Sequence, residues 1–232
     1  VLVLPLLTVT GTSAVWPQEP SNGELLSAAG SSQSTNWAGY AATSGPFTSV
    51  SASWVEPTAT CTSPNGVTYS SFWVGLDGDG SNTVEQTGTE VNCAGLTPEY
   101  NAWYEMYPKP SHILTPAVAP GDDLTATVTS TGDSFTLILR DITRHWTRTE
   151  VRTSATAEHA TAEVITEALS LGTKILPLTD FGSVQFSDVV VDGAPIGDVD
   201  GQAIVMASGS TVKAQPSALQ NGEKFGVMWL HS

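Results

Sequence analysis

YSSFWVGLDGDGSN, from Tyr69 to Asn82, joins a strand-length run of aromatic and aliphatic residues to a dense Asp/Gly/Ser/Asn cluster. Such clusters reverse the chain, because Gly takes positive φ freely and Asp and Asn side chains bond their own backbone. The same unit recurs on both sides: NWAGYAAT, SVSASWVEP, YNAWYEMYP, DLTATVTS, SFTLILRD, TEVRTSA, AEVITEAL, SVQFSDVVV, GQAIVMAS and KFGVMWLH. Short runs at this spacing predict an all-β chain, an antiparallel sandwich or barrel. Only Ala157 to Leu171 has helix-friendly composition; its Thr, Val and Ile leave a strand equally open, and a strand is expected around Glu163 to Leu169.

Composition agrees with one packed domain. The 232 residues carry seven Trp, five Tyr and six Phe, but only 13% charged residues, so the chain has a core to bury and is not of the disordered kind. Eight Lys and Arg against 23 Asp and Glu give a formal charge of −15. Before Lys109 there is no Lys, Arg or His, against nine acidic residues, which argues against nucleic acid and anionic membrane as partners. Self-repulsion of this size relaxes as carboxylates protonate, so an acidic working environment suits the chain.

The opening VLVLPLLTV and the small residues Thr12-Ser13-Ala14 read as the remnant of a secretory signal over residues 1–14. Residues 15–33 are small, polar and broken by Pro and Gly, as in a linker or short pro-segment, and the folded domain is expected over 34–232. Cys61 and Cys93 make an even pair in a chain that reads as secreted, which predicts a disulfide closing a loop of about 30 residues. Two Cys are too few for a Cys-based zinc site. Arg140, Arg144, Arg148 and Arg152 recur every four residues, which predicts a hairpin carrying them on one side as solvated edge charges.

There is no GxSxG elbow, HExxH, CxxC, P-loop or GxGxxG. DGDGSN (Asp77 to Asn82) begins like a calcium loop but lacks the later Gly and Glu, and reads as a turn. Strand alternation places Asn101, Trp103 and Glu105 on one face, Trp73, Gly75 and Asp77 on another, and Glu163, Ile165 and Glu167 on a third. A face that sets Trp beside carboxylates is either a sugar-stacking cleft or an acid/base site, because a core face would not tolerate unpaired Glu. Glu163 and Glu167 compete evenly on this reading, Glu85 and Asp79 are expected to face solvent, and Trp54, Trp146 and Trp229 to be core or rim.

WVGLDGDGSNTVEQTG (Trp73 to Gly88), YNAWYEMYP (Tyr100 to Pro108), AEVITE (Ala162 to Glu167) and FGSVQF (Phe181 to Phe186) resemble, in order, the motifs of the eqolisin-type glutamic peptidases, which are acid peptidases insensitive to pepstatin. SxNWAGY (Ser34 to Tyr40) and SWVEP (Ser53 to Pro57) fit the same pattern. The resemblance implies a bent, concanavalin A-like sandwich of two antiparallel sheets whose concave face holds an extended peptide and cuts it in acid. It implies no metal and no cofactor, protein or peptide substrates, and a secreted enzyme; a monomer is expected. The family's catalytic Gln, in QTG, falls on Gln86, and its catalytic Glu, the second of AExIxE, falls on Glu167. Supporting positions fall on Trp73, Asp77, Trp103 and Glu105. Two departures stand out: Asn101 occupies the Asp position of YDAWYE, and the stretch from Asp77 to Gln86 is one residue shorter than in the relatives.

The pair makes chemical sense. A carboxylate can take a proton from attacking water and return it to the leaving amine, and an amide that does not titrate keeps its N–H donors for the oxyanion in acid. Glu, with an ordinary pKa of about 4.3, needs little tuning for acidic work. A competing expectation is a carbohydrate-binding or glycoside hydrolase sandwich using Glu105 and Glu167. A third is an inactive relative that binds peptides without cutting them.

Overall fold

The computed structural model describes residues 31–232; the leader expected at 1–14 and most of the segment expected at 15–33 lie outside the described residues. In chain order the strands are β1 (Ser32–Ser34), β2 (Trp37–Ala42), β3 (Ser49–Val55), β4 (Val67–Leu76), β5 (Val84–Ala94), β6 (Thr97–Tyr107), β7 (His112–Leu114), β8 (Asp123–Thr131), β9 (Ser134–Asp141), β10 (Trp146–Thr153), β11 (Ala162–Glu167), β12 (Ser170–Leu171), β13 (Lys174–Ile175), β14 (Ser183–Val191), β15 (Ala194–Pro195), β16 (Gly201–Ser208), β17 (Thr211–Pro216) and β18 (Phe225–Trp229). One 3-10 turn, Ile196–Val199, is the helical element among the described residues, and none is long and apolar enough to cross a membrane.

Fourteen strands form one hydrogen-bonded path, β10-β9-β8-β3-β14-β18-β17-β16-β2-β11-β4-β5-β6-β7, with β1 added on β16, β15 on β14, and β12-β13 as a separate hairpin. Neighbours along it are antiparallel; β1 lies parallel to β16. The path folds over, so that β3, β8 and β9 pack face to face on β4 and β5. Val50, Ala52 and Trp54 of β3, Leu124, Ala126 and Val128 of β8, and Phe135, Leu137 and Leu139 of β9 meet Phe72, Val74 and Leu76 of β4 in the core. The sandwich expected as two sheets therefore has two layers joined through β14, β18, β17 and β16. Register breaks at Ser187/Val190 in β14 and at Met206/Ala207 in β16 supply local bends of the kind bulges introduce.

β4 and β11 explain why their sequences read as nearly continuous apolar runs. Ser70 to Leu76 and Ala162 to Thr166 are buried on both sides, one face in the core and the other on the floor of the concave surface. β17 escapes recognition in the sequence because Lys213, Gln215 and Pro216 dilute its pattern, although Lys213 is buried.

Cys61 and Cys93 are bonded, with Cα atoms 5.5 Å apart, tying the loop after β3 to β5 across 32 residues of sequence. The arginine hairpin forms, but the four arginines do not share a side. Asp141 pairs with Trp146 across a four-residue turn, so residue parity changes between the strands. Arg140 therefore points outward, Arg144 sits in the turn against Asp122, and Arg148 and Arg152 turn inward. Arg148 Nε donates to the Thr115 carbonyl, and Arg152 donates to Tyr104 Oη at 2.6 Å while lying over its ring, so these charges fasten the β10 edge to the opposite layer.

Candidate active site

Strand register builds the concave face in three cross-strand rows. The first runs Ala41, Glu163, Gly75, Gln86, Glu105, and the second Gly39, Ile165, Trp73, Gly88, Trp103, Ile113. The third runs Trp37, Glu167, Ser71, Glu90, Asn101. Members of a row meet because side chains two apart on a strand share a face and register brings strands into line. The middle row is an apolar floor of Trp73, Trp103 and Ile165, and the outer rows bring carboxylates and amides to its two sides.

Trp73 organises the floor. It is fully buried, and its six-membered ring lies over Gly75, where a Cβ would stand 2.9 Å from Cζ3 and 3.1 Å from the Gln86 Cβ. At the other edge Nε1 donates to Glu167 Oε2 at 2.9 Å. One indole thus runs from Gly75, the cross-strand partner of Gln86, to Glu167. Gly88 is required beneath it, because a Cβ there would overlap the Phe72 carbonyl and Trp73 Cβ. Trp37 meets Trp73 edge-on, with ring centroids 5.1 Å apart.

Glu167, the last residue of β11, is half-buried and also accepts from Asn36 Nδ2 at 3.1 Å. Burial raises its pKa, the indoles of Trp73 and Trp37 and the amide of Asn36 pull it down, and nearby Glu105 raises it; together they leave it at about 7. The expectation of a Glu needing little tuning is thus revised, because Glu167 leaves much of its hydration behind at the base of a cleft. Gln86 is 5% exposed and donates from Nε2 to Glu105 Oε2 at 2.6 Å, fixing the amide's orientation and leaving its second N–H free of that bond. Burial also raises Glu105, and Gln86 partly offsets the rise.

Gln86, Glu105, Trp103 and Glu167 line a single cleft of about 780 Å³. Its wall carries four carboxylates, of Asp79, Glu90, Glu105 and Glu167, and no Lys, Arg or His. Among the described residues no three His, Cys, Asp or Glu converge to hold a metal ion.

Other expected residues lie elsewhere. Asp77 does not continue the Trp73 face: it follows the end of β4 at φ +62°, is buried, and accepts the backbone N–H groups of Glu158, His159 and Ala160 at 2.7 to 3.0 Å. Its carboxylate orders the loop that leads into β11. Asn101 donates to Glu90 Oε1 at 3.0 Å, as does Asn92, so the amide in the expected Asp position holds a cleft carboxylate instead of adding one. Glu163 shares a face with Glu167 but is fully buried, accepts the Asp79 N–H at 3.3 Å and does not line the cleft. Geometry thereby separates the two glutamates that composition left equal. Asp79 is exposed, but Glu85 is fully buried, contrary to expectation: it lies on the opposite face of β5 from Gln86, inside the sandwich, with its carboxyl close to Asp77.

Asn36 and Glu90 are site residues that the sequence did not single out. Glu90 was within reach, because Gln86, Gly88 and Glu90 alternate on one face; Asn36 gave no signal beyond its place in SxNWAGY, since its partner is 131 residues away.

The fold and site together define a β-sandwich of the glutamic-peptidase class. The profile of the Peptidase A4 family matches residues 35–228, and the chain belongs to that family. It is 26% identical over 226 residues to aspergillopepsin-2 of Aspergillus niger, covering 85% of this chain and 80% of that protein. It is 34% identical over 102 residues to scytalidopepsin B of Scytalidium lignicola, covering 43% of this chain and 37% of that protein. Its structure is similar to that of scytalido-glutamic peptidase bound to a transition state analog inhibitor (TM-score 0.73, 25% identity, 84% of this chain and 98% of that chain). It is also similar to aspergilloglutamic peptidase from Aspergillus niger (TM-score 0.64, 25% identity, 70% and 99%).

Proposed function

We propose that the chain is a secreted endopeptidase, working on the acid side of neutrality, in which Glu167 activates water and Gln86 stabilises the tetrahedral intermediate. The observation that carries this reading is the Trp73 indole, bonded to Glu167 at one edge and lying over Gly75, the cross-strand partner of Gln86, at the other. Family membership and the inhibitor-bound fold neighbour support it, and the disulfide is consistent with an oxidising compartment.

The ionised Glu167 takes a proton from water as the water oxygen attacks the scissile carbonyl carbon. The carbonyl oxygen becomes an oxyanion and accepts the free N–H of Gln86. Glu167 then passes its proton to the amine nitrogen, and the C–N bond breaks. A glycosidase reading would need Glu105 as an independent acid, whereas Glu105 accepts the Gln86 amide at 2.6 Å.

The test is digestion of an unfolded protein from pH 2 to 8, with and without a chelator and pepstatin, beside Glu167→Gln. Cleavage on the acid side, indifferent to both additives and lost in the variant, is the expected result. Cleavage that survives in a folded Glu167→Gln protein moves the catalytic assignment elsewhere, and no cleavage at any pH returns the sugar-binding and inactive peptide-binding alternatives.

A further inference from the structure

The turn that joins β1 to β2 is built around one side chain. Ser34 Oγ accepts the N–H groups of Asn36 at 3.3 Å and of Trp37 at 3.1 Å, and donates to Asn36 Oδ1 at 3.2 Å. With Oδ1 taken by the serine, Nδ2 is the end of the amide left to face Glu167, which accepts it at 3.1 Å. The main chain is fixed as well: the Asn36 carbonyl accepts the Ala168 N–H at 2.8 Å, and Trp37 pairs with Glu167 in the β2–β11 ladder. Parallel pairing of Ser32 to Ser34 with Ile204 to Met206 holds the turn from its other side.

From this juxtaposition we infer that Asn36 is a positioning residue for Glu167, and that Ser34 acts through it by fixing which end of the amide the carboxylate meets. The inference rests on the reading of Glu167 as the general base. Glu167 has two oxygens, and each is committed: Oε2 to Trp73 and Oε1 to Asn36. A carboxylate held at both oxygens cannot rotate out of the cleft, and two donors favour its charged form against burial. The groups that face it are Trp73 from β4, Trp37 from β2, Glu105 from β6 and Asn36 from the turn, so Asn36 and the two indoles oppose the repulsion of Glu105 with no cation in the cleft wall. Ser34, Thr35 and Asn36 all line the cleft wall.

The first experiment reads Glu167 directly, by 13C NMR titration of selectively labelled glutamate carboxyls, with Glu167→Gln identifying the resonance. Asn36→Ala is expected to raise the Glu167 pKa by about one pH unit, as loss of one hydrogen bond to a charged group does. Ser34→Ala should move it in the same direction by less, and Ser34→Thr should restore it. In proteolysis, Asn36→Ala is expected to lower kcat about 10-fold with KM nearly unchanged, and to shift the acidic limb of the pH profile upward. An unmoved Glu167 titration in folded Asn36→Ala overturns the inference, as does a Ser34→Thr protein that behaves like Ser34→Ala. If Asn36→Ala moves the titration but Glu167→Gln still cuts protein, the positioning stands and the catalytic role of Glu167 falls, so the two failures are told apart.

Discussion

Trp73 Nε1 and Glu167 Oε2 lie 2.9 Å apart, a hydrogen bond between strands β4 and β11 that places an indole under the carboxylate and aims the carboxylate into the cleft. Trp73→Phe keeps most of the ring and removes the donor. Loss of a hydrogen bond to a charged group is expected to lower kcat/KM about 10-fold or more and to move its acidic limb to higher pH, because the donor favours the ionised form. Steady-state kinetics against pH, with circular dichroism to confirm the fold, checks this.

Gln86→Ala removes the amide that Glu105 fixes at 2.6 Å. Loss of an oxyanion donor typically costs on the order of 100-fold or more in kcat. Because the side chain lies on the cleft floor, outside the sandwich core, Tm should change little. A folded Gln86→Ala protein with undiminished kcat would remove Gln86 from the mechanism.

Stability and catalysis should pull in opposite directions as pH changes. Burial raises Glu56 to about 8 and Glu85 to about 7, and pushes Glu163 well above its ordinary value. Each holds its proton more tightly folded than unfolded, so the stability it contributes is full below about pH 4.5, declines as pH rises, and is gone above the folded pKa. Stability should therefore fall from pH 4.5 to 8, by on the order of a few kcal/mol each for Glu56 and Glu85 and in the same direction for Glu163, and Tm should fall with it. Glu56→Gln and Glu85→Gln, which mimic the protonated forms, should each flatten that dependence in calorimetry. Glu167, held at about 7, gains its ionised form over the same window. Rate per folded molecule rises toward neutrality while the fraction folded falls, which predicts a weakly acidic optimum for total activity.

Replacing Cys61 and Cys93 with Ser frees a loop spanning 32 residues. The chain-entropy account gives a loss of about 3–4 kcal/mol, measurable as a lower urea midpoint. Activity at low denaturant should persist, since neither cysteine lines the cleft.

The chain's own pattern determined a great deal. Strand-length runs between turn clusters establish an all-β fold, because side-chain alternation is a local property of each strand. Local alternation also placed Asn101 with Trp103 and Glu105, and Glu163 with Glu167, and the ordered motifs pointed to Gln86 and Glu167. Alternation failed at Asp77, where the strand ends one residue earlier and the backbone turns to φ +62°, and at the four arginines, where a four-residue turn exchanges the faces. It gave no warning that Glu85 is buried inside the sandwich.

Only the tertiary structure decided which glutamate faces the cleft, which carboxylates are buried with raised pKa values, and which donors hold Glu167. Those properties depend on neighbours brought together across the sheet, Asn36 over 131 residues and Trp73 over 94. Desolvation and hydrogen bonding are fixed by that packing, and no spacing within a strand encodes them.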